Sequence, residues 1–302
     1  MTILQTLYIP RESDIIHMPR VNVLGGGRDR AFSLPQFFFR KNGRRTAFAD
    51  SGGSGPPILF VHGLGGNATH WLHVAPNLVD THRVLCVDLF GHGESDRIAS
   101  GYSVNSYVEQ IVSLLDGLGI EKVTIVGHSM GGMVSMALSL AAPERIERTV
   151  LVNPAGMQPQ ILPFRAGGFF VMRQQILGRV LPKSWKWILR QVFFQDNPWT
   201  RQFIKTCDET YDEDEVYAMA HMMESLRPDL LGRNYAAMLP SVTVPIFLIW
   251  GDRDRLVPVR FLRRAAEDLP NVTLEEIPEC GHMPNIERAD RVNAFLRNAL
   301  AA

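Results

Sequence analysis

The chain has 302 residues, 46% hydrophobic and 21% charged, with 31 Lys+Arg balancing 31 Asp+Glu and only 3 Cys. Such a composition is that of globular proteins, and it excludes wholesale disorder, a collagen-like repeat and a disulfide scaffold. A formal net charge of zero argues against nucleic acid as the main partner, because duplex binding rests on a basic field that neutralises phosphates.

The opening MTILQTLYIP lacks the basic n-region of a signal peptide, and no run approaches the ~20 apolar residues of a membrane span, so the expected compartment is cytoplasmic. Residues 1–35 show no sustained periodicity and read as an irregular leader. The following FFFRKNGRRTAFAD predicts a β-hairpin turning at Asn42-Gly43, a dipeptide that tolerates the positive φ angles of a two-residue turn. From Pro57 onward short apolar runs alternate with longer amphipathic stretches. The runs 58–62, 83–89, 122–127, 149–153, 244–250 and 272–277 read as buried strands. Helices are expected near 68–79, 104–118, 130–142, 258–268 and 285–300. This βα order predicts a doubly wound, mostly parallel α/β sheet with right-handed crossovers. The alternation fails over 157–240, which reads as an inserted helical segment between core parts 1–156 and 241–302.

Gly127-His128-Ser129-Met130-Gly131 stands where an apolar strand meets a helix. A G-x-S-x-G turn there exposes a serine hydroxyl above the carboxyl edge of the sheet. Serine at neutral pH needs a base, and the base needs an orienting carboxylate. Asp252 and Asp254 follow the 244–250 strand, and His282 lies in a Gly-containing loop after the last one. The order Ser, Asp, His suits a triad on such a sheet. The Gly-rich VHGLGGN turn could aim the Leu64 N–H at an oxyanion, with Met130 N–H as the second donor. The three cysteines, Cys86, Cys207 and Cys280, form no metal-ligand cluster, and His70 with His73 lacks a third ligand, so neither metal nor cofactor is expected. His62 and His92 read as loop-bracing groups, and His128, inside the serine turn, as a structural one.

The segments HGLGG (62–66), DLFGHGES (88–95), GHSMGG (127–132), GDRD (251–254) and GH (281–282) together resemble the α/β-hydrolase family in order and spacing. That resemblance implies Asp254 rather than Asp252 as the acid, because the family's acid follows a G-x-x-D pattern. It also implies that the 157–240 insertion is a helical cap over the active site. A serine nucleophile resembles the esterase, lipase and C–C hydrolase branches. The expected activity is cleavage of carboxylic esters, of medium or long acyl chain and monoacylglycerol-like, through an acyl-enzyme. The alternatives are a C–C hydrolase of vinylogous diketones and a small-ligand receptor with slow or no turnover. Phe164, Phe169, Trp185 and Met283 are the candidate substrate contacts. The first part of the cap is aromatic and basic and the second acidic, which makes the cap a candidate for contact with a lipid interface; no obligate protein partner is indicated.

Overall fold

Asn42 and Gly43 adopt φ angles of 52° and 76°, the left-handed pair a two-residue turn demands, and join β2 (Gln36–Lys41) to β3 (Arg44–Asp50) in antiparallel register. In this computed structural model the described residues are 15–17, 34–157, 172–211, 213–260, 262–263 and 271–302. Within the leader, Ile15–His17 forms β1, paired antiparallel with β2, so the expectation of a wholly irregular leader is corrected. The reason is an open strand edge: β2 presents unpaired backbone groups, and three residues of the leader take them.

Six further strands are parallel to one another: β4 (Pro57–Val61), β5 (Arg83–Val87), β6 (Val123–His128), β7 (Ile146–Val152), β8 (Ile246–Gly251) and β9 (Val272–Ile277). Across the sheet the order is β1-β2-β3-β5-β4-β6-β7-β8-β9. Successive residues of a strand feed opposite faces, as a two-residue period requires. Leu59, Val61, Leu85, Val87 and Ile125 enter one core with α1 (Val104–Gly117) and α2 (Met130–Ala141). Ile58, Phe60, Val84, Cys86 and Val126 enter the other, with Trp71 and α7 (Ala289–Ala301). Burial on both faces is why these strands read as unbroken apolar runs.

Two helical expectations need correction. The 68–79 segment forms short 3-10 turns, Ala68–Trp71 and Ala75–Asn77, because Pro76 lacks the N–H that would continue a helix. The last helix divides into α6 (Pro284–Glu287) and α7, since Arg288 leaves helical geometry at φ −137°, ψ 48°. Most of the helix expected at 258–268 lies outside the described residues.

Between β7 and β8 the chain builds α3 (Gln174–Gln191), α4 (Pro198–Thr210) and α5 (Glu213–Gly232). Leu177 and Leu181 of α3 pack on Val216 and Ala220 of α5, while Met222 and Leu226 join the main core. Asp229 also accepts the Val104 N–H at the start of α1, at 2.8 Å. The helical insertion is therefore anchored to the α1 side of the sheet.

Candidate active site

Ser129 joins β6 to α2 with φ 52° and ψ −117°, a conformation rarely adopted by a residue with a Cβ. Its turn is held by the Ser129 N–H donating to Val152 O at 3.1 Å and by Ala155 N–H donating to Ser129 O at 2.9 Å. The flanking glycines permit this density. A Cβ on Gly131 would stand 2.5 Å from His62 O and closer still to Val61 O, and one on Gly127 would meet Gly131 O and Ser135 Oγ. Ser129 remains partly exposed at the carboxyl end of β6.

His282, in the loop after β9, lies within 2.9 Å (Nε2) of Ser129 Oγ and 2.7 Å (Nδ1) of Asp254 Oδ2. The Asp254 side chain is fully buried and accepts three more donors: Asn153 Nδ2 at 2.7 Å, Leu256 N–H at 2.8 Å and Val257 N–H at 2.9 Å. Burial alone would raise its pKa, but the His282 imidazole, the Val257 N–H and the Asn153 amide outweigh burial and hold the carboxyl below its usual range. Asp252 points elsewhere, accepting the Cys280 N–H at 3.5 Å and facing Arg253 at 3.6 Å. The carboxylate facing the imidazole is thus that of Asp254, an orienter for the Nδ1–H tautomer that leaves Nε2 as acceptor toward the serine.

Two residues around this constellation, Asn153 and Glu287, were missed by sequence reasoning, and a third, His128, has the structural role expected of it. Asn153, at φ 43° after β7, donates to Asp254 and to Gly281 O at 3.2 Å, while its Oδ1 accepts the Gly251 N–H at 3.2 Å. His128 donates through Nε2 to His282 O at 2.8 Å. Glu287 accepts the Gly281 N–H at 2.9 Å and the N–H groups of Phe194 at 3.1 Å and Gln195 at 2.5 Å. It thereby ties the α3–α4 connection to the His282 loop, and the His282 N–H donates to Val192 O at 2.6 Å in the same seam. The only signals for Asn153 and Glu287 were positional: an Asn at a strand end and a Glu in the last helical stretch.

The 62–67 turn passes directly over the serine: a Cβ on Gly63 would stand 3.0 Å from Ser129 Cβ. Among the described residues no acceptor takes the Leu64 or the Met130 N–H. His62 braces the turn, with Nδ1–H donating to its own neighbour Gly63 O at 2.7 Å and Nε2 accepting the Leu89 N–H at 3.0 Å. Burial lowers the pKa of His70 and of His92 to about 4 and of His128 to about 3, so these rings stay neutral around the site.

Above the turn lies the insertion. Tyr211 OH donates to Gly65 O at 2.5 Å, and Trp185 stacks edge-on against Tyr211 with ring centroids 5.6 Å apart. The Trp185 ring also comes within 3.8 Å of the position a Gly65 Cβ would take. Met283 is buried with Val192, Phe193 and Ile286, packing the His282 loop against the insertion. Phe164 and Phe169 lie outside the described residues. Among the described residues no group of three His, Cys, Asp or Glu side chains is placed to hold a metal ion.

A mostly parallel sheet with a strained serine turn, facing a histidine and a buried aspartate, defines the class, and a family model described as the alpha/beta hydrolase fold matches residues 56–289. The chain belongs to that family. It is 33% identical over 280 residues to an uncharacterised protein of Mycobacterium tuberculosis (strain ATCC 25618 / H37Rv), covering 84% of this chain and 78% of the relative. It is 28% identical over 292 residues to the 2-hydroxy-6-oxononadienedioate/2-hydroxy-6-oxononatrienedioate hydrolase of Paraburkholderia phymatum (strain DSM 17167 / CIP 108236 / LMG 21445 / STM815), covering 93% of this chain and 94% of that protein. A thermophilic esterase from Thermogutta terrifontis has a similar structure, with a TM-score of 0.73 at 22% identity over 87% of this chain and 95% of its own.

Proposed function

We propose that this α/β hydrolase is a serine hydrolase that cleaves carboxylic esters of medium or long acyl chain, monoacylglycerol-like, through an acyl-enzyme. The observation that carries the reading is the continuous chain from Ser129 Oγ through His282 to Asp254, at 2.9 and 2.7 Å, on a strained turn. His282 Nε2 takes the serine proton as Oγ attacks the ester carbonyl carbon. The Leu64 and Met130 N–H groups then hold the oxyanion, each such donor being worth about 3–4 kcal/mol in the transition state. The C–O bond breaks, the alcohol departs with the proton from His282, and His282 next takes a proton from the water that hydrolyses the acyl-serine ester. No cofactor enters these steps. The insertion acts as a cap, and its Trp185, Tyr211 and Met219 form an apolar roof beside Gly65 that suits an acyl chain.

The decisive experiment incubates the protein with a mixed pool of p-nitrophenyl esters and weighs the trapped adduct. A covalent acyl group on Ser129, absent in Ser129→Ala, is expected, with turnover rising beyond the acetate. Full activity in Ser129→Ala would refute the nucleophile, and no gain with chain length would refute the acyl preference. A second reading, hydrolysis of a C–C bond in a vinylogous diketone by the same three residues, is supported by the full-length likeness to the Paraburkholderia protein. Release of the diketone's acid product by a protein inert on esters would favour it.

A further inference from the structure

The outward face of α3 is unusual in charge. The sequence has no acidic residue between Glu147 and Asp196, and α3 lies inside that interval. Its exposed residues include Arg179, Val180, Lys183, Lys186, Trp187 and Arg190. At about 100° per residue these six fall within one arc of about 120°, opposite the buried Leu177 and Leu181. The four cations form the middle of the arc and one flank; Val180 and Trp187, 52% and 65% exposed, form the other. Lys186 faces Asp208 at 3.6 Å, and among the described residues no carboxylate lies within ion-pair distance of Arg179, Lys183 or Arg190.

The face continues past the end of the helix. Arg255 donates to Gln191 Oε1 at 2.6 Å, and the Arg253 guanidinium lies 5.6 Å from the centre of the Phe194 ring. Phe194, Arg253, Arg255 and Arg260 line an open cavity of about 450 Å³, with Leu256, 47% exposed, beside it. Cations interleaved with exposed Trp, Val, Phe and Leu, those of α3 spread along a helix about 27 Å long, match a surface that is negatively charged and apolar just beneath. A soluble anion would satisfy the charges and leave the tryptophan in water, whereas a lipid interface takes both, and tryptophan favours that boundary.

We infer that the α3 face, continued by Phe194, Arg253, Arg255 and Leu256, docks the protein peripherally on bilayers containing anionic lipid. This extends the proposed ester hydrolysis by naming where an acyl ester would be met, and its test needs no turnover. Full-length Ser129→Ala protein is sedimented with phosphatidylcholine vesicles, with and without about one-quarter phosphatidylglycerol. Binding is expected only with the anionic lipid, and it should weaken as salt shortens the Debye length from about 10 Å at 0.1 M to about 3 Å at 1 M. Neutralising one basic residue near such a surface costs about fivefold in partitioning, so K183Q with R190Q should lose about 25-fold. Trp187→Ser should also weaken binding, and Trp187 fluorescence should shift to the blue on vesicles. The same substitutions in the Ser129 protein should leave hydrolysis of a soluble ester intact, which establishes folding. Equal binding to neutral and anionic vesicles, binding unchanged in K183Q/R190Q, or binding to soluble polyglutamate but not to vesicles would each overturn the inference. Ester hydrolysis lost with vesicle binding retained would instead count against the enzymatic reading alone.

Discussion

Replacing Asp254 by Asn keeps the shape of the side chain while turning one acceptor into a donor. In the native protein Oδ2 accepts from His282 Nδ1 and Asn153 Nδ2, both at 2.7 Å, and Oδ1 accepts the backbone N–H groups of Leu256 and Val257 at 2.8 and 2.9 Å. An amide NH₂ pointed at the backbone pair would strand two donors that cannot rotate. Pointed the other way, it strands only the Asn153 amide, because His282 can carry its proton on Nε2 and accept at Nδ1. Asn153 cannot flip to compensate, since its Oδ1 is already used by the Gly251 N–H at 3.2 Å. The cheaper arrangement therefore costs about 1–3 kcal/mol of stability for one buried unsatisfied donor. It also leaves Nε2 without the lone pair that Ser129 requires, and kcat should fall about 10⁴-fold, as loss of the correct tautomer does in such triads. The assay is kcat on a short p-nitrophenyl ester at neutral pH, with thermal unfolding measured alongside. A kcat within tenfold of the parent, in a folded protein, would refute the tautomer argument.

Gly131→Ala is expected to abolish activity and to lower stability by several kcal/mol, because the new Cβ would stand 2.5 Å from His62 O, a backbone atom that cannot yield; activity and unfolding midpoint report it. Glu287→Gln keeps the shared Phe194 and Gln195 acceptor by turning its NH₂ against the Gly281 N–H at 2.9 Å, and should cost about 2 kcal/mol, with protection of the Gly281 amide from hydrogen exchange falling most. Stability should decline on acidification below about pH 6.5. His70 and His92 near 4 and His128 near 3 remain neutral when folded, while unfolded histidines bind protons below 6.5, so the unfolded state gains protons through that window. Asp88, raised to about 6 mainly by burial, works the other way and returns a smaller part. The net loss from these four groups between pH 6.5 and 4.5 is about 5 kcal/mol at 1.36 kcal/mol per pKa unit, and denaturant titrations at the two pH values measure it. Unchanged stability would show that the histidines are hydrated.

Much of the architecture was legible because its physics is local. The runs at 58–62, 83–89 and 122–127 are apolar on successive residues, and only a strand covered on both faces tolerates that in a helix-flanked sheet. Asn42-Gly43 marked its turn by conformational preference. What escaped depends on partners elsewhere. Ile15–His17 carries no signal of its own and becomes a strand only because β2 offers an edge. The last helix breaks at Arg288, where its first turn has placed Glu287 under the α3–α4 connection.

The candidate site divides in the same way. Ser129 and His282 were marked in the sequence by neighbouring glycines and by chain order, since a serine turn at a strand end needs small residues within reach in sequence. The choice between Asp252 and Asp254 was left to a resemblance, for both follow the same strand within three residues. Tertiary structure brings Asp254 to His282 across 28 positions, and Asn153 to Asp254 across 101. His128 reaches the His282 carbonyl across 154. The sequence alone determined which chemical groups stand at the carboxyl ends of the strands, because burial and backbone preference act over a few residues. Only the folded sheet decided which of them touch, because hydrogen bonds a few ångströms long leave no trace in spacings of a hundred residues or more.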